Sequence, residues 1–250
     1  MNPVKTLFVA WQDPASRRFF PVGRLSKVDL PSGTGFEFVY TKGVYQATES
    51  GFERFLAFPD LTTTYRSDRL FPFFENRLVP LTRNDYGEFV KSLGLDPAIA
   101  TEMDILARSG GQRVTDSIEL FSAPEGPMPD GSFVYFFLSH GLSHMPMCAQ
   151  ERVASLPSGD QLFLVHDLQN HVDPQALLLR TVDCCCVGYL PRYLGSDIWQ
   201  AIGSCAKVQV FIEQLNPPPT PIQQRLLCRM TTSKTDEFTP CSDEIYQPYS

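Results

Sequence analysis

The sequence predicts an α+β protein of two modules: a mixed strand-and-helix half, followed by a small β-barrel-like half with one or two short helices. Three observations lead there. The 250 residues hold 21 prolines and 16 glycines, which punctuate the chain into short segments. Nineteen phenylalanines supply an aromatic core that suits sheets better than long helices. A Pro-, Gly- and acid-rich stretch, SAPEGPMPDG from Ser122 to Gly131, divides the chain near its middle. The expected boundaries are a first module over 1–124, a linker over 125–131, a second module over 132–230, and a polar, disordered tail over 231–250.

In the first module, Thr6–Trp11, Arg17–Val28 and Thr34–Thr41 read as strands. A helical block follows. Leu70, Phe71, Phe73, Phe74 and Leu78 fit one helical face. Thr82 and Asp85 form a plausible capping box ahead of Tyr86, Phe89, Val90 and Leu93, which repeat at helical spacing. Asp96-Pro97 pairs an N-cap with a first-turn proline, which opens a third helix through about Leu106. Ser117–Phe121 returns to strand.

Strands dominate the second module, at Phe133–Leu138, Gln161–Asp167, Gln175–Val182 and Cys186–Leu190. A short helix is expected over Ser196–Ile202, capped by Ser196. Val208–Leu215 alternates as a strand should, and Arg225–Met230 is a further candidate.

Charge and chemistry narrow the function. The net charge of −7, from 21 basic and 28 acidic residues, argues against wrapping a duplex in a basic surface. It leaves room for recognition of a strand end by a local site. No stretch reaches the ~18 apolar residues of a membrane helix. The run Leu7–Trp11 reads as a strand rather than a signal peptide, so the expectation is a cytoplasmic protein with reduced thiols and no membrane partner.

The seven cysteines form no C-x-x-C pair, and consecutive Cys184, Cys185 and Cys186 would point to alternate faces of a strand. Structural thiols and no metal site are expected. His140 and His144 stand at i, i+4, but Gly141 and Pro146 argue against a helix there, and no glutamate completes a metal motif. His166 and His171 flank one turn as solvated histidines. No nucleophile elbow, Gly-rich phosphate loop leading to a strand lysine, or kinase catalytic loop occurs. The chain therefore reads as non-enzymatic, with no catalytic residue and no cofactor.

Two resemblances add to this reading. The segment Gly159–Leu194 carries Asn170, Asp173 and Ala176 in an N-x-x-D-x-x-A turn, then Gly188, Tyr189, Leu190, Pro191 and Arg192 as G-Y-L-P-R before a helix. In this it resembles the HIRAN family, over roughly Ser132 to Asn216. The resemblance implies a β-module that grips a single-stranded or 3′-terminal DNA end. A turn carboxylate, here Asp173, accepts the terminal hydroxyl hydrogen. Tyr189 and Arg192 lie on the phosphate side, and His144 stands where a stacking residue or its neighbour is placed. From Ser132 to Leu215 there are 4 basic and 7 acidic residues, a net of −3.

The first module is similar to the small N-terminal subdomain of HipA-type toxin kinases, through GRLSK, GFEFVYTK, LFPFFENRL and DILARSGGQRVTDSIELF in that order. The kinase body has no counterpart in the sequence. Two functions of different class follow: DNA-end binding in a bacterial cell, or a protein-interaction module that partners a HipA-like kinase or its regulator.

Overall fold

A computed structural model describes residues 5–250. The chain divides into two compact units whose boundaries do not run simply from one end to the other. The first holds residues up to Gly87, Pro97–Ala123 and Cys241–Ser250; the second holds Glu88–Asp96 and Pro124–Pro240. Both are built on curled antiparallel sheets, within the α+β class.

The first unit begins with β1 (Thr6–Gln12), β2 (Phe19–Leu30) and β3 (Gly33–Tyr40), then a short helix α1 (Val44–Glu49) and strand β4 (Tyr65–Ser67). The aromatic segment expected to be a full helix gives only one turn, α2 (Pro72–Glu75). Pro72 holds Phe71 extended, at φ −61° and ψ 139°, so the helix cannot reach back to Leu70. Helix α3 (Tyr86–Ser92) follows, and from Glu88 onward it belongs to the second unit. The carboxylate expected to help cap it, Asp85, bonds the Arg83 guanidinium instead, at 2.8 Å from Nη2.

Helix α4 (Glu102–Ser109) starts later than Asp96-Pro97 suggested. Thr101 caps it, because its hydroxyl accepts the Asp104 N–H at 3.3 Å while the Asp104 carboxylate accepts the Thr101 N–H at 2.9 Å. This reciprocal pairing satisfies two helix-end donors at once. Strand β5 (Ile118–Ser122) completes the sheet, ordered β4-β3-β2-β1-β5.

The core of this unit lies on one face of the sheet, around Leu7, Val9, Phe38, Tyr40, Phe58 and Phe74. The buried Tyr40 hydroxyl donates to Phe58 O and accepts from Phe55 N–H, both at 2.8 Å. Burial pushes its pKa up to about 12, so it remains a neutral hydrogen-bonding post.

The run Leu7-Phe8-Val9-Ala10 is buried at every position, as expected for a strand covered on both faces. The second cover is the chain's last segment. The Phe8 ring meets Phe121 at 5.4 Å and Tyr246 at 4.9 Å between centroids. The disordered tail expected over 231–250 is therefore corrected. Lys42 and Gly43 donate to Gln247 O and Ile245 O at 2.9 and 3.0 Å, Thr41 bridges Pro248, and Tyr249 donates to Tyr40 O at 2.9 Å. Phe238 is buried against Ala201 and Ala206 in the second unit. A polar composition hid three aromatic anchors, Phe238, Tyr246 and Tyr249.

The second unit contains β6 (Phe133–Leu138), α5 (Met147–Val153), β7 (Gln161–His166), β8 (Leu177–Arg180), β9 (Cys186–Tyr189), α6 (Arg192–Gly203), β10 (Val208–Leu215) and β11 (Leu226–Thr232). Helix α5 was not anticipated. Pro146 stands at its N-cap, outside the region where a missing N–H breaks a ladder. Helix α6 starts at Arg192, with Ser196 inside it rather than capping it. The residues Glu88–Asp96 join this unit because the buried Asn216 amide donates to Ser92 O at 2.6 Å and the Gln214 amide donates to Lys91 O at 2.7 Å.

The six strands run in the order β6-β11-β10-β7-β8-β9, and the two ends of this sheet meet. His140, just past β6, and Tyr189, at the end of β9, exchange N–H···O=C bonds of 3.0 and 2.8 Å. Gly188 makes the approach possible. Its φ is +116°, and a Cβ there would lie 2.0 Å from Ser139 Oγ and 2.7 Å from His140 O. We therefore expect Gly188→Ala to destabilise the second unit by about 3 kcal/mol. The loss is read as a lower urea midpoint, with faster hydrogen exchange at the His140 and Tyr189 amides. An unchanged midpoint would show that the closure tolerates a side chain there.

Candidate nucleic-acid interface

The Asp167–Gln175 loop joins β7 to β8 and folds through local polar contacts. Asp167 Oδ1 accepts the Gln169 N–H at 3.3 Å, and Asn170 Oδ1 accepts the N–H groups of Val172 and Asp173 at 3.0 and 2.9 Å. These are side-chain-to-backbone turns of the kind Asp and Asn favour. Asn170 Nδ2 also donates to Asp167 Oδ2 at 3.2 Å. The Asp173 carboxylate accepts the Gln175 N–H at 3.1 Å, which closes the last bend before β8.

Three outside side chains hold consecutive residues of this loop. Arg192 Nε lies 3.1 Å from Asp173 Oδ2, His166 Nε2 lies 2.7 Å from Pro174 O, and Trp199 Nε1 donates to Gln175 O at 2.9 Å. Arg192 and Trp199 stand seven residues apart on α6, two turns along one helix face. The His166 and Trp199 rings meet edge to face at 4.9 Å. The loop is thus clamped from β7 and α6 together.

Of the four residues singled out from the sequence, three share this network. Asp173 and Arg192 form an ion pair with side chains 19 and 21 % exposed. Tyr189 is half-buried, and its hydroxyl donates to Asp167 Oδ2 at 2.9 Å. The chain Arg192–Asp173–Asn170–Asp167–Tyr189 is continuous. Asp173 and Arg192 are not two separate contacts, as their assumed roles required, because each already neutralises part of the other. His144 is exposed on a 3-10 turn, Leu142–His144, just after the closing His140. That turn packs near β9, but no hydrogen bond ties His144 to the other three.

Sequence reasoning missed Asp167 and Trp199 and gave Asn170 no role of its own. The spacing Asp167-x-x-Asn170-x-x-Asp173 was a readable signal, since short polar side chains at that interval build turns. The Trp199 contact had none, because it depends on where α6 begins. Exposed Leu168 and Val172 add apolar surface at the loop tip.

Electrostatics follow from the hydrogen bonds. The Tyr189 hydroxyl is the main cause holding the Asp167 carboxyl below its usual range, with Asn170 and the Gln169 N–H assisting and partial desolvation opposing. Burial, then the Asp167 charge, push the Tyr189 phenol upward, so it stays protonated as a donor.

Comparison with known proteins gives a narrow result. No protein-family model and no curated protein matches the chain. Two solved structures are similar to part of it. A Lactobacillus plantarum protein from a structural genomics programme is 16 % identical over 41 % of this chain and 97 % of its own, with a TM-score of 0.32. The HIRAN domain of human HLTF is 16 % identical over 41 % of this chain and 74 % of its own, with a TM-score of 0.31.

The Asp167 contact carries a pH signature. Its folded-state pKa is depressed, so its stabilising contribution is full above the ordinary aspartate range and is lost as pH falls through the lowered value. Tyr189→Phe removes the hydroxyl that contributes most to that shift. The variant should lose less stability than the parent between about pH 5 and about pH 2, as followed by the thermal midpoint. Parallel acid limbs for the two proteins would mean that the hydroxyl does not set the Asp167 carboxyl.

Proposed function

We propose that the second unit binds the end of a nucleic-acid strand, single-stranded or 3′-terminal DNA, and performs no chemistry on it. The observation that carries this reading is the junction of two sequence motifs in space. The Asn170–Asp173 turn and the Tyr189–Arg192 segment meet through the Asp173–Arg192 pair at 3.1 Å. The same residues are those the HIRAN resemblance assigns to end binding.

Each group has chemistry suited to that partner. A carboxylate at a partly exposed turn accepts a hydroxyl hydrogen, which a strand end supplies and an internal phosphodiester does not. A guanidinium is a planar fork for phosphate oxygens. An exposed imidazole, His144, offers a ring on which a base can stack. With few basic residues around them, affinity rests on this site rather than on a broad field.

The test compares oligonucleotides with a free and with a phosphorylated 3′ end. Asp173→Ala should weaken the free end by about tenfold and leave the phosphorylated end nearly unchanged, as one hydrogen bond to a charged group implies. Arg192→Ala should weaken both and flatten the salt dependence. Hydrogen exchange of the 167–175 loop in each variant separates lost contact from a loosened turn. Equal affinity for both ends in the parent protein would turn the reading to protein interaction, with a HipA-like kinase or its regulator as the first partner to try.

A further inference from the structure

The β8–β9 hairpin carries thiol chemistry that the loop site does not use. Its turn is built by Cys184 N–H donating to Thr181 O at 3.0 Å and Thr181 N–H donating to Cys185 O at 2.9 Å. Cys184 takes the left-handed position of this turn, φ +66°, where glycine or asparagine is the usual choice. The conformation leaves Cys184 exposed. Half-buried Cys185 and Cys186 follow directly, and Cys148 lies one helical turn before Arg152 on α5. Arg152 bonds Asp183 of the same turn at 3.1 Å, so α5 presents its Cys148 face toward the hairpin. Four of the seven thiols are gathered here.

Among the described residues, Cys184 is the thiol that a cation hydrogen-bonds, while Arg152 acts on Cys185 through its charge alone. Arg180 Nη1 donates to Cys184 Sγ at 3.5 Å, and its guanidinium carbon lies 5.5 Å over the Phe163 ring. The nearest acid in sequence, Asp183, is engaged by Arg152 and by the Thr181 hydroxyl. Among the described residues no carboxylate pairs with Arg180, and its Nε is buried without a hydrogen-bond partner. Cys185 is a different case, since burial raises its thiol's pKa and keeps it protonated.

We propose that Cys184 is a thiol–disulfide exchange site for small anionic disulfides of the glutathione disulfide type, with Arg180 as the positioning residue. The Cys184 sulfur, having given its proton to solvent, attacks one sulfur of the disulfide. The new S–S bond forms as the old one breaks, and the departing thiolate carries away the electron pair and takes up a proton from solvent. Arg180 holds the Cys184 sulfur outward and supplies the positive charge that the carboxylates of such a disulfide seek. This site is separate from the Asp173–Arg192 pair, and its failure would leave the nucleic-acid reading untouched.

The experiment exposes the full chain to glutathione disulfide and, separately, to neutral bis(2-hydroxyethyl) disulfide, and maps modified cysteines by peptide mass. Cys184 should react with glutathione disulfide roughly fivefold faster than Cys148 or Cys205, which are also exposed, and the advantage should shrink in high salt. Arg180→Ala should lower the Cys184 rate about fivefold, a fall of the size expected when one charge-assisted contact is lost. Arg180→Lys should retain most of it. Cys148 in the same sample reports whether the variant has kept its fold. A Cys184 rate no higher than that of Cys205 would overturn the proposal. So would an advantage equally large with the neutral disulfide. If Arg180→Ala loosens every thiol alike, the salt dependence of the parent and the Arg180→Lys rate decide the matter.

Discussion

Two backbone hydrogen bonds, exchanged between His140 and Tyr189, hold together what the second unit needs in order to have a site at all. A six-stranded antiparallel sheet has two free edges, and here β6 and β9 are those edges. Their union there, reinforced by the Ser139 hydroxyl donating to Val187 O at 3.0 Å, sets where Tyr189 stands. Its ring then lies 3.1 Å from where a Cβ of Gly141 would be, and its hydroxyl reaches the β7–β8 loop. Three residues on, Arg192 opens α6 with its guanidinium on Asp173. Closure and site therefore share one residue, and the loop inherits its position from main-chain geometry rather than from its own short polar contacts. Of the two glycines flanking the closure, Gly188 leaves no room for a side chain, and Gly141 takes a left-handed φ of +68°.

The charge pattern around this junction is that of an arginine held among carboxylates. Asp173 pairs with Arg192, while Asp167 is occupied by a phenol and an amide. A partly exposed ion pair contributes only about 0–1 kcal/mol, so a phosphate oxygen can replace Asp173 on the guanidinium at small cost. The exchange would release the carboxylate for another donor. If the proposed function holds, the two halves of the pair would separate onto the hydroxyl and the phosphate of one strand end.

Much of this architecture was legible beforehand, and the failures have physical reasons. The strands β1, β3, β6, β7 and β10 follow from apolar runs and alternation. The turn motif and the G-Y-L-P-R segment singled out Asp173, Tyr189 and Arg192, which the fold brings into one polar network. What could not be read was context. Thr101 and Asp104 outcompete Asp96-Pro97 because the reciprocal cap needs both partners, and Pro72 shortens an aromatic helix whose periodicity looked complete. That Asp173 and Arg192 bond each other depends on α6 beginning at Arg192, which local propensity placed four residues later. The tail misled through its average polarity, although the doubly buried run Leu7–Ala10 was already asking for a cover on its second face.

That cover has a consequence for how the molecule is made. The first unit is assembled from segments on both sides of the second, with Cys241–Ser250 joining residues laid down before Gly87. The curled sheet is thus a guest inserted into a host. As the chain leaves the ribosome, Phe8 can meet Phe121 but must wait for Tyr246 until all of the second unit has been made. Only then does Tyr246 arrive to seal the host. The unit begun first is thus the one whose last residues are made last, and one face of Phe8 lacks its Tyr246 cover throughout that interval.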